Sequence, residues 1–315
     1  MEMTTPWIEK YRPLTLEGIT NQPHVTSTLN SFIASGNLPH LLLYGPPGTG
    51  KTSTILALAR DLFGQSFKQR MLELNASDER GIAIVREKIK GFAKQSVANS
   101  DGKLPPFKLI ILDEADSMTV DAQSALRRIM EAYSQVTRFC LICNHVTKII
   151  DPIASRCAKI RFRPLGQEES IARLQDICKQ EGISVPQQSL TTIVKESDGD
   201  MRRCVMMLQS VSRCCDENIS DLLGIIPKNI IIDVIQACRK SLDVALERAR
   251  NVVMAGYSAG QFVKELVEIV VGKECGMDSA WRARVLLKAA EVDSRLVDGA
   301  DEELSLMDLV CSMAE

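Results

Sequence analysis

The sequence predicts an α/β domain built on a parallel sheet covered by helices, followed by two smaller all-helical segments. Three observations carry this expectation. Short apolar runs alternate with stretches of helical spacing up to residue 163, and the strand signals stop beyond Arg163-Pro164. A glycine-rich segment, Gly45 to Thr52, lies directly between the first of these apolar runs and a helical pattern. Such alternation is the pattern of strands joined by crossover helices.

The strands are read at residues 38–44 (LPHLLLY), 71–75 (MLELN), 107–112 (FKLIIL), 138–143 (RFCLIC) and 158–163 (AKIRFR). They are too apolar to leave one face in water, which favours parallel pairing with helices on both sides. Thr52 to Phe63 has helical spacing and stops at Gly64, as a helix C-terminus should; Ala122 to Tyr133 is a second helix. Asn99 to Pro106 reads as a polar turn. Helices are then expected over Gln167 to Glu181, Gln188 to Ser197 and Met201 to Cys214. Ile225 to Glu315 continues in helical pattern, with turn signals at Pro227, Gly256, Gly272, Gly276 and Gly299. Domain boundaries are placed near residues 164 and 225.

Composition limits the classes of function. The chain has 315 residues, 45% hydrophobic and 25% charged, enough core-forming side chains to fold and enough length for two or three domains. No apolar run approaches the ~18 residues of a membrane span, and Met1 to Lys10 lacks a basic start followed by an apolar stretch, so an unexported protein without a membrane segment is expected. The ten cysteines begin only at Cys140, which favours reduced thiols over a disulfide scaffold. Cys140 and Cys143 form a C-x-x-C, but on a strand their odd spacing turns the sulfurs to opposite faces, and three histidines at 24, 40 and 145 complete no zinc framework. Residues 1–165 carry 21 Lys/Arg against 15 Asp/Glu, while residues 166–315 carry 17 against 25. The positive half is the one suited to a polyanion.

The chemistry begins at Gly45-Pro46-Pro47-Gly48-Thr49-Gly50-Lys51-Thr52, which fits G-x-x-x-x-G-K-[ST] in its strand-to-helix setting. Its glycines let backbone N–H groups curl around phosphate oxygens at a helix N-terminus. Lys51 is expected on the β- and γ-phosphates of a nucleotide and Thr52 on Mg²⁺. Further along, the strand Leu109 to Leu112 ends in Asp113-Glu114. Asp113 is assigned to the metal or its water, and Glu114 to polarising the attacking water, a task needing a carboxylate separate from the metal ligand. Alone, such a pair is more often a solvated turn; with the upstream phosphate loop it reads as the hydrolytic pair. Asn144 ends a third strand, where an Asn is ordinarily a turn former.

These residues, with Trp7-Ile8-Glu9-Lys10-Tyr11-Arg12-Pro13, Leu74 to Gly81 (LNASDERG), Leu112 to Asp116 (LDEAD), Gln123 to Arg128 (QSALRR), Ser155-Arg156-Cys157 and Gly199 to Arg203 (GDMRR), resemble the small subunits of replication factor C, the eukaryotic sliding-clamp loader of the AAA+ ATPases. The motifs occur in the family's order across about residues 6–210. The resemblance implies a RecA-like AAA+ P-loop domain over 1–164, a helical lid over 165–225 and a helical collar over 226–315. It also implies an adenine pocket lined by Tyr11, Arg12 and Pro13, a γ-phosphate sensor at Asn144, a second sensor at Arg202, and an arginine finger at Arg156 supplied to the ATP of a neighbouring subunit. His145 departs from the tyrosine or polar residue expected after the sensor, at a position that should face outward.

From Gly81 onward, Ile82, Arg86 and Lys90 recur at every fourth residue and so share a helix face, with Arg80 just before it. The bland reading is a solvated amphipathic helix whose charges Glu87 balances. The resemblance implies instead that this face tracks the phosphates of primer-template DNA, without reading sequence. It further implies ATP and Mg as cofactors, a heteropentamer with other replication factor C subunits, the PCNA clamp as partner, and a nuclear location. Three rivals share parts of the pattern. A hexameric unfoldase or helicase would need an aromatic pore loop, a nucleotide-bound scaffold would not need Glu114, and an alternative checkpoint or cohesion loader would use the same subunit.

Overall fold

A computed structural model describes residues 5–18, 22–76, 82–94, 105–212, 224–272 and 277–314. The chain divides into two compact units, Met1–Arg213 and Cys214–Glu315. The first contains, in order, α1 (Trp7–Lys10), α2 (Pro23–Ser35), β1 (His40–Tyr44), α3 (Lys51–Phe63), α4 (Phe67–Arg70), β2 (Met71–Asn75), α5 (Ile82–Lys94), β3 (Lys108–Asp113), α6 (Val120–Tyr133), β4 (Thr137–Cys143), α7 (Asp151–Ala154) and β5 (Cys157–Arg161). Three further helices follow among the described residues: α8 (Gln167–Glu181), α9 (Gln187–Glu196) and α10 (Met201–Val211). The five strands fall where the apolar runs predict them, each within two residues.

All strand pairs are parallel, in the order β2-β3-β4-β1-β5. Because side chains alternate along a strand, each continuous apolar run supplies both faces of the sheet. Leu41, Leu43, Ile111, Cys140 and Ile142 face a core shared with Val25 and Leu29 of α2 and Ile55 and Leu58 of α3. Leu42, Ile110, Leu112, Leu141 and Cys143 face the other core, with Ile89 of α5, Leu126 and Met130 of α6 and Ile153 of α7. Cys140 and Cys143 therefore lie on opposite faces, as their spacing predicts. Among the described residues the cysteines are free, and no group of three or more His, Cys, Asp or Glu side chains is arranged to hold a metal.

The register sets where the loops emerge. Tyr44 at the end of β1 is level with Cys143 at the end of β4, and Leu112 of β3 with Leu141 of β4. The segments after β1, β3 and β4 thus open side by side at the carboxyl edge of the sheet, where open α/β folds bind their ligands.

Helices α8, α9 and α10 pack on one another through buried Leu174, Ile177, Leu190, Ile193, Cys204 and Leu208. Asp200 caps α10, its carboxylate accepting from the N–H groups of Arg202 and Arg203. The second unit is all-helical among its described residues, with helices at Lys228–Cys238, Leu242–Met254, Ala259–Val271, Ser279–Val297 and Glu302–Ala314. They enclose one core around Ile231, Phe262, Leu266, Val285 and Leu309, and the buried Trp281 Nε1 donates to the Met313 carbonyl at 2.8 Å. No described helix is long and apolar enough to cross a membrane.

Candidate functional site

The glycine-rich segment needs its glycines for two different reasons. Gly45 and Gly48 have φ of 147° and 66°, and the chain is crowded at both. A Cβ on Gly45 would lie 2.3 Å from the Phe162 carbonyl oxygen, where β5 runs alongside; one on Gly48 would lie 1.6 Å from Asp200 Oδ1, at the start of α10. Only glycine admits these close approaches. Helix α3 then starts at Lys51, leaving the loop's N–H groups at its N-terminus.

Lys51 is buried, and its Nζ donates to the carbonyls of Gly45 and Pro46 at 2.8 and 2.7 Å and to Asn144 Oδ1 at 2.9 Å. An ammonium has three donors, and these three acceptors satisfy all of them. Burial pulls the Lys51 pKa down from its ordinary value, with the Asp113 carboxylate working against it. Thr52 Oγ1 donates to Asp113 Oδ2 at 2.7 Å, and Asp113 Oδ1 accepts from the Glu114 N–H at 2.9 Å. Glu114 sits in the left-handed region at φ 52°, a conformation that costs a non-glycine residue energy and recurs at working sites. That turn leaves its side chain exposed at the rim of the cavity.

A cavity of about 500 Å³ joins these groups, within the size range of small-molecule sites. Its walls include Tyr11, Arg12, Pro13, Pro47, Gly48, Thr49, Gly50, Lys51, Thr52, Asp113, Glu114, Asn144 and Arg202. Gly45 and Pro46 lie just below, their carbonyls holding the lysine. Thr52 and Asp113 together offer one hydroxyl and one carboxylate oxygen, the hard donors that suit Mg²⁺.

The N-terminal segment reaches the cavity by bridging two parts of the unit. Arg12 Nε donates to Ser53 Oγ on α3 at 3.3 Å, while Tyr11 Oη donates to Glu181 Oε1 at the end of α8 at 2.5 Å. Lys10 Nζ meets the same carboxylate at 2.7 Å, Arg173 Nη2 donates to the Tyr11 carbonyl at 3.0 Å, and the Trp7 N–H donates to Gln209 of α10 at 3.3 Å. Hydrogen bonding from Lys10 and Tyr11 lowers the Glu181 pKa, and burial together with Glu181 raises that of Tyr11.

Two predicted groups lie elsewhere. Arg156 follows α7 outside the cavity, exposed, with Nη1 donating to the Pro152 carbonyl at 2.6 Å and Nη2 2.8 Å from Glu131 Oε1. On the proposed DNA helix, residues 82–94 are helical as expected and Lys90 is exposed, as is Glu87. Arg80 lies outside the described residues, and so do the side chains of Ile82 and Arg86. His145 faces outward, as its place in the sequence requires. Sequence reasoning assigned no role to Ser53, Arg173, Glu181, Gln209, Asp116 or Asp200. The last two stand inside quoted motifs, which was the one signal available.

Three segments match known families: residues 41–165 the ATPase family associated with various cellular activities, 172–213 the RCF1/5-like AAA+ ATPase lid domain, and 226–312 the replication factor C C-terminal domain. Replication factor C subunit 2 of Schizosaccharomyces pombe is 48% identical over 98% of this chain and 94% of its own length. Replication factor C subunit 4 of Homo sapiens is 46% identical over 98% and 88%, and the subunit 2 of Saccharomyces cerevisiae 44% identical over 98% and 93%. Among solved structures, the Thermotoga maritima RuvB Holliday junction branch migration motor overlays with a TM-score of 0.54 at 15% identity, covering 75% of this chain and 84% of that one, a likeness of fold alone. With its phosphate loop, acidic strand end, lid and C-terminal helices all in place, the chain is an AAA+ ATPase and belongs to the small-subunit family of replication factor C, the clamp loader.

Proposed function

We propose that this subunit works in a nuclear heteropentamer with other replication factor C subunits, using ATP and Mg²⁺ to open the PCNA clamp and close it on primer-template DNA. The modules are those read from the sequence: an ATPase domain to residue 164, a lid to 225 and a collar beyond. Residues 45–52 hold the phosphates, Tyr11, Arg12 and Pro13 the adenine, and Thr52 and Asp113 the metal, which would neutralise charge between the phosphates. Glu114 polarises the attacking water. Asn144 and Arg202 sense the γ-phosphate from the β4 tip and from the lid.

The observation that carries this reading is the position of Arg156. Lys51, Asp113, Glu114 and Arg202 all line the cavity, yet the family's finger arginine stands outside it on the exposed surface, beside Glu131. A guanidinium that serves a nucleotide only across an interface makes hydrolysis depend on assembly, and such fingers contribute about 10³–10⁵ in rate. ATP then acts as a switch, because each nucleotide state binds clamp and DNA differently. Arg80, Ile82, Arg86 and Lys90 lie along duplex phosphates, so binding ignores sequence and weakens with salt.

The test is a reconstituted pentamer carrying Arg156→Ala in this subunit alone. This subunit's own ATP affinity stays unchanged while hydrolysis at the adjoining site falls by about 10³-fold or more. Lys51→Ala, in contrast, removes nucleotide from this subunit's own cavity. A defect of Arg156→Ala confined to its own site sinks the reading.

A further inference from the structure

Asp116 lies on the single turn of 3₁₀ helix, Ala115–Ser117, that follows Glu114. Its Oδ2 accepts from two successive backbone N–H groups, those of Asn144 at 3.3 Å and His145 at 3.2 Å. Two consecutive amides thus share one carboxylate oxygen as their acceptor. Both lie at the end of β4, where the ladder has run out and the exposed N–H groups have no strand to pair with.

The two ends of this link both lead to the cavity. On one side, Asn144 Oδ1 receives the Lys51 ammonium at 2.9 Å. On the other, Glu114 is fixed by the same turn: its carbonyl accepts from the Ser117 N–H at 2.9 Å and from Ser117 Oγ at 2.7 Å, and Ala115 is buried beneath it. Asp116 itself is not among the residues lining the cavity.

We propose that Asp116 is a positioning residue for ATP hydrolysis, tying the tip of β4 to the turn that carries Glu114 and so fixing Asn144 relative to the water-polarising carboxylate. The proposal rests on the reading that Asn144 acts at the γ-phosphate. Both groups must hold their places to within a fraction of an ångström, since a misplacement of ~1 Å costs on the order of 10²-fold in rate. Without the link, the β4 tip and the Glu114 turn are joined through their strands and, farther from the cavity, through Gln123, whose Nε2 donates to the carbonyls of Met118 and Lys148 and whose Oε1 accepts from the Ile150 N–H. Phosphate binding by the loop and by Lys51 does not depend on it.

The test measures single-turnover hydrolysis and ATP affinity at this subunit's site in the reconstituted loader. Asp116→Ala lowers the hydrolysis rate about 10- to 100-fold while leaving ATP affinity within about threefold. Asp116→Asn keeps most of the rate, because its carboxamide oxygen still accepts from both amides. Asp116→Ala added to Asn144→Ala causes no further loss, because the one acts through the other. Hydrogen exchange at the Asn144 and His145 amides accelerates in Asp116→Ala and not in Asp116→Asn, a readout that holds even where assembly fails. The proposal is overturned by a rate for Asp116→Ala within twofold of wild type, by equal damage from Asn and Ala, or by additive losses with Asn144→Ala. Full hydrolysis by Asn144→Ala alone removes the reading of Asn144 and the proposal with it; an impaired Asn144→Ala beside a normal Asp116→Ala removes only the proposal.

Discussion

Gly48 and Asp200 meet where the phosphate loop touches the start of the lid, and their contact can be put in numbers. Gly48 holds φ 66°, and the Met201 N–H donates to its carbonyl at 3.3 Å. In Gly48→Ala the left-handed backbone costs about 1–2 kcal/mol. The new Cβ would fall 1.6 Å from Asp200 Oδ1 and 2.2 Å from its Cγ, so the carboxylate must leave. In leaving, it gives up its bonds to the N–H groups of Arg202 and Arg203 at 2.8 and 3.1 Å, and losing such a cap costs about 1 kcal/mol. The single substitution therefore costs about 2–3 kcal/mol, and Asp200→Ala alone about 1 kcal/mol. In the double variant the cap is lost once rather than twice, so the total falls short of the sum by about 1 kcal/mol. Native-state hydrogen exchange in the full chain reads this locally. Amides of the first turn of α10 should exchange about fivefold faster in either single variant, with no further acceleration there in the double. Additivity within ~0.3 kcal/mol, or undisturbed protection of Arg202 and Arg203 in Gly48→Ala, would refute the clash and with it the contact between loop and lid.

Two more outcomes can be checked alongside. Burial and the neighbouring Arg138 cation push the His40 pKa down to about 4 from its ordinary value of 6.5, and its Nδ1 accepts from the Phe139 N–H at 3.1 Å. The unfolded chain thus binds the extra proton first; stability is full above about pH 6.5 and declines as pH falls toward 4, by about 3 kcal/mol at most. Replacing His40 with Gln should flatten that part of a denaturation-versus-pH curve, and an unchanged slope would reject the assignment. Tyr11→Phe removes the hydroxyl that holds the N-terminal segment to Glu181 while keeping the ring. Stopped-flow release of a fluorescent ATP analogue should quicken about two- to fivefold, and Glu181→Ala, which removes the acceptor, should reproduce the effect without adding to it; unaltered release from both would rule out that bridge as a nucleotide clasp.

What could be read from the sequence was what is encoded locally. The apolar runs gave the strands because a fully buried strand needs both of its faces apolar, and the separation of Cys140 from Cys143 followed from the pleat alone. The phosphate loop and Asp113-Glu114 were legible because strand-to-turn chemistry is written in consecutive residues. The contacts that join distant segments were not: Tyr11 to Glu181 spans 170 positions and Gln22 to Arg163 spans 141, and no local pattern marks either partner. Helix ends were softer for a different reason, since α10 stops at Val211 where its own carbonyls turn to Ser212 rather than at a breaker residue.

Asn144 marks the dividing line between the two kinds of information. As a letter after a strand it is a turn former, and composition or spacing around it says nothing more. It becomes a functional candidate once β4 is known to lie between β1 and β3, because the residue that leaves the central strand is then flanked by the phosphate loop on one side and the acidic pair on the other. Sheet order is fixed by which apolar surfaces bury one another, through buried pairs such as Leu41 with Cys140 and Leu112 with Leu141. The hydrophobic core therefore selects the neighbours of the site. Any substitution that kept every motif but exchanged the places of β1 and β4 would leave Lys51, Asn144 and Asp113 in the chain and part β4 from β3, taking Asn144 away from Asp116 and the acidic pair.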